Sequence, residues 1–302
     1  MTDGPADHLR ARLARREWTV TVEVVTPPRD DDRARARILA LAAALRDDER
    51  VAALTLTDRT TGAETVDIVE LGALVAAASL AVPLVHVAGK GRRRASLERH
   101  LARLRAAGLT SVLLTGGDVP AGAPGPNHDA LSMFSAAATL VPDFLVLGVI
   151  EPGSGRPLDE TRARAEAKRR TVARAGFVAQ VSWDLETRDA VAQWQAAFEA
   201  PILGAVMWLT RRRVDFLAEH HIGGIVVPPG LRRRLNGEPP EAAQRRLALD
   251  LVLLRRLGYA GAHISGLLTP SRITAVLDEA ERLDTSLGDD WRGLWREAAG
   301  IA

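Results

Sequence analysis

Cysteine is absent from this chain of 302 residues. That removes disulfides, thiolate nucleophiles and Cys-ligated zinc. Lysine is almost absent: Lys90 and Lys168 are the only two, and neither sits inside an apolar strand-like run, which argues against a Schiff-base aldolase. No apolar run is long enough to cross a bilayer. The opening residues, Met1 to Asp7, lack the basic and apolar regions of a signal peptide, so a cytoplasmic protein is expected. Aromatic residues make up 4% of the chain, with a single tyrosine. Base stacking therefore has little to work with. The pI of about 9.6 reflects composition rather than a basic surface. Formal net charge is only +2, and with one Tyr, no Cys and almost no Lys little titrates between pH 8 and 10. Arginine runs such as Arg92-Arg93-Arg94, Arg211-Arg212-Arg213 and Arg232-Arg233-Arg234 are balanced by acidic residues along the chain. They read as solvated helix starts and faces, and neither nucleic acid nor membrane is an expected partner.

What is present is alternation. Short apolar segments at 19–25, 52–57, 83–88, 110–115, 144–150, 177–182, 202–207 and 260–265 read as strands. Amphipathic stretches near 32–46, 63–80, 93–107, 128–140, 159–175, 187–198, 211–220, 240–257 and 270–282 read as helices. Strand-then-helix order repeated eight times predicts parallel strands with crossover helices, and a single-domain (β/α)8 TIM barrel over 19–284. Residues 1–18 form an N-terminal segment. Residues 285–302 form a tail helix whose Trp291, Leu294 and Trp295 share one face. That face is read as packing on the barrel, with a homo-oligomer contact as the alternative. No Gly-x-Gly-x-x-Gly follows the first strand, and Gly116-Gly117-Asp118 is not a Walker loop, so the open nucleotide-binding folds are disfavoured.

One residue breaks the first strand. In Thr19-Val20-Thr21-Val22-Glu23-Val24-Val25, alternation puts Glu23 on the face of Thr19, Thr21 and Val25, with Val20, Val22 and Val24 on the other. A buried carboxylate is costly unless paired or protonated, and desolvation is expected to raise its pKa into the range useful to a proton donor. A structural ion pair with one of the many arginines is the competing explanation. Active sites of such barrels lie at the C-terminal strand edge. The polar residues there are Glu23, Thr57-Asp58, His86, Asp118, Glu151, Gln180, Asp184 and His263 to Ser265. The histidines His86, His128, His220, His221 and His263 read as too scattered for a metal site, and no metal is expected. Trp183 and Trp208 are candidate aromatic walls, with core packing the favoured alternative.

These segments, in order, resemble the methylenetetrahydrofolate reductase family over about residues 19–283. Val22-Glu23-Val24-Val25-Thr26-Pro27-Pro28-Arg29 is similar to the family's Phe-Glu-Phe-Phe-Pro-Pro-Lys/Arg, with one extra residue before the prolines. Thr55-Leu56-Thr57-Asp58 falls at its Val-Thr segment, and Val85-His86-Val87 at its His-Leu-Thr. The run Leu101 to Asp118, ending Ala107-Gly108-Leu109-Thr110-Ser111-Val112-Leu113-Leu114-Thr115-Gly116-Gly117-Asp118, resembles its Gly-Ile-x-Asn-Ile-Leu-x-Leu-Arg-Gly-Asp block. Phe177-Val178-Ala179-Gln180 resembles its Phe-Ile-x-Thr-Gln strand, and Gly261-Ala262-His263-Ile264 its last strand.

The resemblance implies an oxidoreductase of one-carbon metabolism, serving methionine biosynthesis. It would reduce 5,10-methylenetetrahydrofolate to 5-methyltetrahydrofolate. Glu23 would be the general acid, Asp118 and Gln180 would bind the pterin, and Thr57, His86 and Glu151 would line the cofactor side. The departures fall where FAD would bind. The family's Arg-Gly-Asp becomes Thr115-Gly116-Gly117-Asp118, losing a cation, and Gly-Tyr-Pro-Glu-x-His-Pro becomes Ile150-Glu151-Pro152-Gly153-Ser154-Gly155-Arg156-Pro157. Lys168, Arg169 and Arg170 are the cations left for phosphates. The chain is therefore expected to be a flavin-free member, taking hydride directly from NADH or NADPH. The alternatives are a conventional FAD-dependent reductase and a non-catalytic folate-binding relative.

Overall fold

In the computed structural model, which describes residues 5–58, 64–89, 92–116, 129–153, 155–219, 225–267 and 269–301, all eight expected strands form. They are β1 (Thr19–Val24), β2 (Val51–Leu56), β3 (Leu84–Ala88), β4 (Ser111–Thr115), β5 (Leu145–Ile150), β6 (Ala175–Ala179), β7 (Ile202–Met207) and β8 (Gly261–Ser265). Each pairs in parallel with its sequence neighbours, and β8 pairs with β1, closing the barrel. The helices run in chain order as α1 (His8–Ala14), α2 (Asp32–Ala44), α3 (Ile68–Ser79), α4 (Arg94–Ala106), α5 (Ala130–Leu140) and α6 (Leu158–Thr171). They continue as α7 (Leu185–Phe198), α8 (Arg211–Glu219), α9 (Pro229–Arg234), α10 (Pro240–Arg256), α11 (Pro270–Ser286) and α12 (Trp291–Ala298).

The alternation in β1 has its expected consequence. Val20, Val22 and Val24 are buried on the outer wall of the barrel among residues such as Ile38, Leu41 and Leu54. Thr21 and Glu23 face inward. Helix starts are set by local chemistry. Asp67 accepts hydrogen bonds from the Val69 and Glu70 N–H groups, so α3 begins at Ile68 rather than at the expected 63. Strand β6 also differs from expectation, starting at Ala175 and ending at Ala179 instead of spanning 177–182. The Gln180 side-chain oxygen accepts from the Val181 N–H, which withdraws that donor from any ladder. Helices α1 and α9 were not expected, being short and carrying few buried residues: Leu9 and Leu13 in the first, Leu231 in the second.

The tail packs on the barrel. Trp291 and Trp295 are buried and Leu294 is partly buried. The Trp295 indole N–H donates to Asp250 Oδ1 at 2.9 Å, and the same oxygen accepts from Arg188 at 2.9 Å. The Arg188 guanidinium also lies 5.2 Å from the Trp295 ring centroid.

Candidate active site

Strand register decides what meets Glu23. Partners in a parallel pair project to the same side of the sheet, so Glu23 shares the barrel interior with its partner Thr55 on β2. Thr21, two residues earlier, pairs with His263 on β8. Closure of the barrel thus brings residues 240 positions apart into contact. His263 Nε2 lies 3.2 Å from Glu23 Oε2, and its Nδ1 lies 2.9 Å from the Thr21 hydroxyl. His86 enters from β3, its ring 6.2 Å from that of His263 and inclined by 29°. One carboxylate oxygen and one nitrogen from each imidazole all lie within 4.8 Å of one another. The reading of the histidines as scattered is corrected here: distant in sequence, two of them meet inside the barrel.

The glutamate remains reachable, with 23% of its side chain exposed against 5% for His263. Its charge state differs from expectation. Burial favours the neutral acid, but the His263 hydrogen bond and the fields of His263, His86 and Arg213 outweigh it, holding the carboxyl below its ordinary pKa. Burial acts the other way on His86, taking it down to about 4, so that the ring is neutral at pH 7. Arg213 is held where it can act on Glu23 by donating to the Trp208 carbonyl at 3.1 Å. It lies against Gly266, whose φ of +87° and missing Cβ leave the space.

The other expected residues have varied surroundings. Thr57 is buried, and its hydroxyl accepts from the Thr26 N–H, tying the loop after β1 to β2. Asp58, next to it, forms a buried pair with Arg92 at 2.6 Å and accepts from the Ala88 N–H. Gln180 is partly buried at the end of β6, and Glu151 is exposed after β5. Asp118 and Lys90 lie outside the described residues, as do His128, His220 and His221. Asp184 caps α7, its side chain accepting from the Glu186 N–H. Trp183 and Trp208 are both buried core residues.

The cations expected near flavin phosphates are committed elsewhere. Lys168 donates to the Val149 carbonyl at 2.9 Å, and burial lowers its pKa to about 8 against the pull of Glu151. Arg169 donates to the Phe198 carbonyl, and Arg170 pairs with Glu166. Each of the three thus has a protein partner in this structure. Sequence reasoning placed His263 among the strand-end polar residues but gave it no role. The signal was available, since in a closed barrel the last strand neighbours the first.

No protein-family model matches the chain, and no curated protein matches it. Solved structures do. An uncharacterized protein from Clostridium thermocellum, which binds two copies of 5-methyl-5,6,7,8-tetrahydrofolic acid, is similar with a TM-score of 0.63 at 14% identity, over 92% of this chain and 100% of that one. A putative phosphonomutase from Burkholderia cenocepacia J2315 is similar with a TM-score of 0.52 at 15% identity, over 93% and 98% of the two chains. What is shared is the barrel fold.

Proposed function

We propose that this protein reduces 5,10-methylenetetrahydrofolate to 5-methyltetrahydrofolate, with hydride passing directly from NADH or NADPH. The observation that carries the reading is Glu23, a reachable carboxylate inside the barrel, hydrogen-bonded to His263 and lying on the strand that resembles the reductase family's opening motif. A barrel of like fold that binds 5-methyltetrahydrofolate supports the substrate class.

The reaction adds a proton to N10, breaks the bond from N10 to the methylene carbon, and leaves an iminium on N5. Hydride from the reduced nicotinamide then completes the methyl group, leaving the oxidised nicotinamide. Glu23 is ionised in the free site, so it takes up a proton from solvent as the folate binds and passes that proton to N10. His263 positions the carboxylate, with Nε2 3.2 Å from Glu23 Oε2, and is itself held by the Thr21 hydroxyl 2.9 Å from Nδ1. A folate placed over Glu23 shields it from water and from the mouth, which raises its proton affinity at the step that needs it. The negative charge also stabilises the developing iminium cation. Gln180 and Asp118 are assigned to the pterin, and Thr57, His86 and Glu151 to the nicotinamide side. The commitment of Lys168, Arg169 and Arg170 to other partners supports the flavin-free form. Direct transfer requires the nicotinamide and the methylene carbon to lie about 3–3.5 Å apart in one pocket.

Glu23→Gln tests the assignment. The variant is expected to bind 5-methyltetrahydrofolate with little change, measured calorimetrically, and to lose about 10²–10⁴-fold in turnover. Turnover like that of the unaltered protein would remove Glu23 from the mechanism.

A further inference from the structure

Two polar atoms in the barrel interior are left without partners by everything described above. His86 Nε2 and the Thr55 hydroxyl are both buried, and neither has a hydrogen-bond partner among the described residues. An unpaired buried polar atom costs about 1–3 kcal/mol and points to an unfilled requirement. Both flank Glu23: Thr55 is its register partner, and His86 projects toward the same space from β3.

We propose that Glu23, His86 and His263 form a binding site for a divalent transition-metal cation of the Zn²⁺ class. The donor set is two imidazoles and one carboxylate, which suits borderline cations and not Mg²⁺ or Ca²⁺, which prefer oxygen. Zinc bonds of about 2.0–2.2 Å in a tetrahedral site put neighbouring donors about 3.3 Å apart. The Glu23 Oε2 to His263 Nε2 separation of 3.2 Å already matches that edge. The third donor, on His86, lies within 4.8 Å of both. A side-chain adjustment of up to about 1.5 Å brings it to the same spacing. His263 is also oriented as ligating histidines are. With Nε2 on a cation, Nδ1–H donates to the Thr21 hydroxyl at 2.9 Å, the outer partner that fixes ring and tautomer. A fourth position is left for water, and the unpartnered Thr55 hydroxyl flanks the site.

Arg213 shares the field of Glu23 and opposes a second positive charge. The expected affinity is therefore below that of a four-ligand structural zinc site. A cation on Glu23 also excludes the proton that the folate reading gives it, so the metal-loaded protein is expected to be the inactive form of the reductase.

The test reads the metal itself, and its outcome is independent of whether the chain reduces folate. Tag-free full-length protein is titrated with Co²⁺ alone and followed by its visible absorption, then with Zn²⁺ in competition. One equivalent is expected to bind, with the intense bands of low coordination and displacement by Zn²⁺. His86→Ala and His263→Ala, each checked for folding by far-UV circular dichroism and thermal melting, are expected to weaken binding by at least 100-fold. Thr21→Val is expected to weaken it about 10–100-fold. No Co²⁺ binding by the unaltered protein, or binding that survives in both histidine variants, would overturn the proposal.

Discussion

Glu23 and His100 are ionisable groups inside the molecule that respond to burial differently. Glu23 keeps its charge despite burial because it is hydrogen-bonded to His263 and faces the positive Arg213. His100 gives up its charge: burial and the positive Arg92 beside it take its pKa down to about 4, and its Nε2 has no partner among the described residues. An unfolded chain binds this proton at its ordinary value of 6.5, the folded one only near 4. Between those values the unfolded state holds more protons, so stability falls as pH falls from about 6.5 to about 4. The loss from this group is about 3 kcal/mol when complete. His100→Leu is expected to flatten that part of the urea-melting profile between pH 7 and 4. An unchanged acid slope would show that the slope comes from other groups. At this scale the sequence was informative about position and silent about charge. Alternation alone set Glu23 on the face of β1 opposite Val20, Val22 and Val24. Its depressed pKa depends on a histidine 240 residues away, which no local pattern announces.

At the scale of elements, the tail helix α12 is fixed by one network. Asp250 on α10 accepts from both Arg188 on α7 and Trp295 on α12, and the Tyr259 hydroxyl donates to the Arg188 carbonyl at 2.8 Å. Arg188 and Asp250 are 4% and 5% exposed in their side chains, so neither charge has water to fall back on. Removing one partner strands the other, and Asp250→Ala is expected to cost about 3–5 kcal/mol in urea denaturation. Trp295→Ala, which empties a fully buried site, is expected to cost a similar amount, about 3–5 kcal/mol. The two losses should fall short of additive, because they share a partner. Full additivity would contradict the network. The packing of α12 was legible from the spacing of Trp291, Leu294 and Trp295. The network beneath it was not, because a buried arginine or aspartate looks like a surface one in sequence. Helices α1 and α9 were missed for a related reason. With two buried apolar residues in one and a single one in the other, neither has the periodicity that marks a helix. Strand β6 shifted because Gln180 uses its side chain, not its strand-forming tendency, to settle the backbone after Ala179.

At the scale of the whole molecule, order and spacing were enough to predict the barrel, since eight parallel strands with crossover helices close in only a few ways. Closure then produces the candidate site by joining β8 to β1 and setting Thr21, Glu23 and His263 side by side. Among the described residues no helix is long and apolar enough to cross a membrane. The fold does not dictate the chemistry, since barrels with this architecture host many reactions, and the similar solved structures share only the fold at 14% and 15% identity. What this barrel offers is a reachable acid on its first strand, hydrogen-bonded to a histidine on its last. The most direct measurement is nicotinamide oxidation by purified, flavin-free protein, followed at 340 nm with 5,10-methylenetetrahydrofolate present or omitted, and with or without added FAD. The account predicts oxidation of NADH or NADPH that requires the folate, yields 5-methyltetrahydrofolate in equal amount, and does not change when FAD is added. Oxidation that occurs only with FAD, or none under any of these conditions, would contradict it.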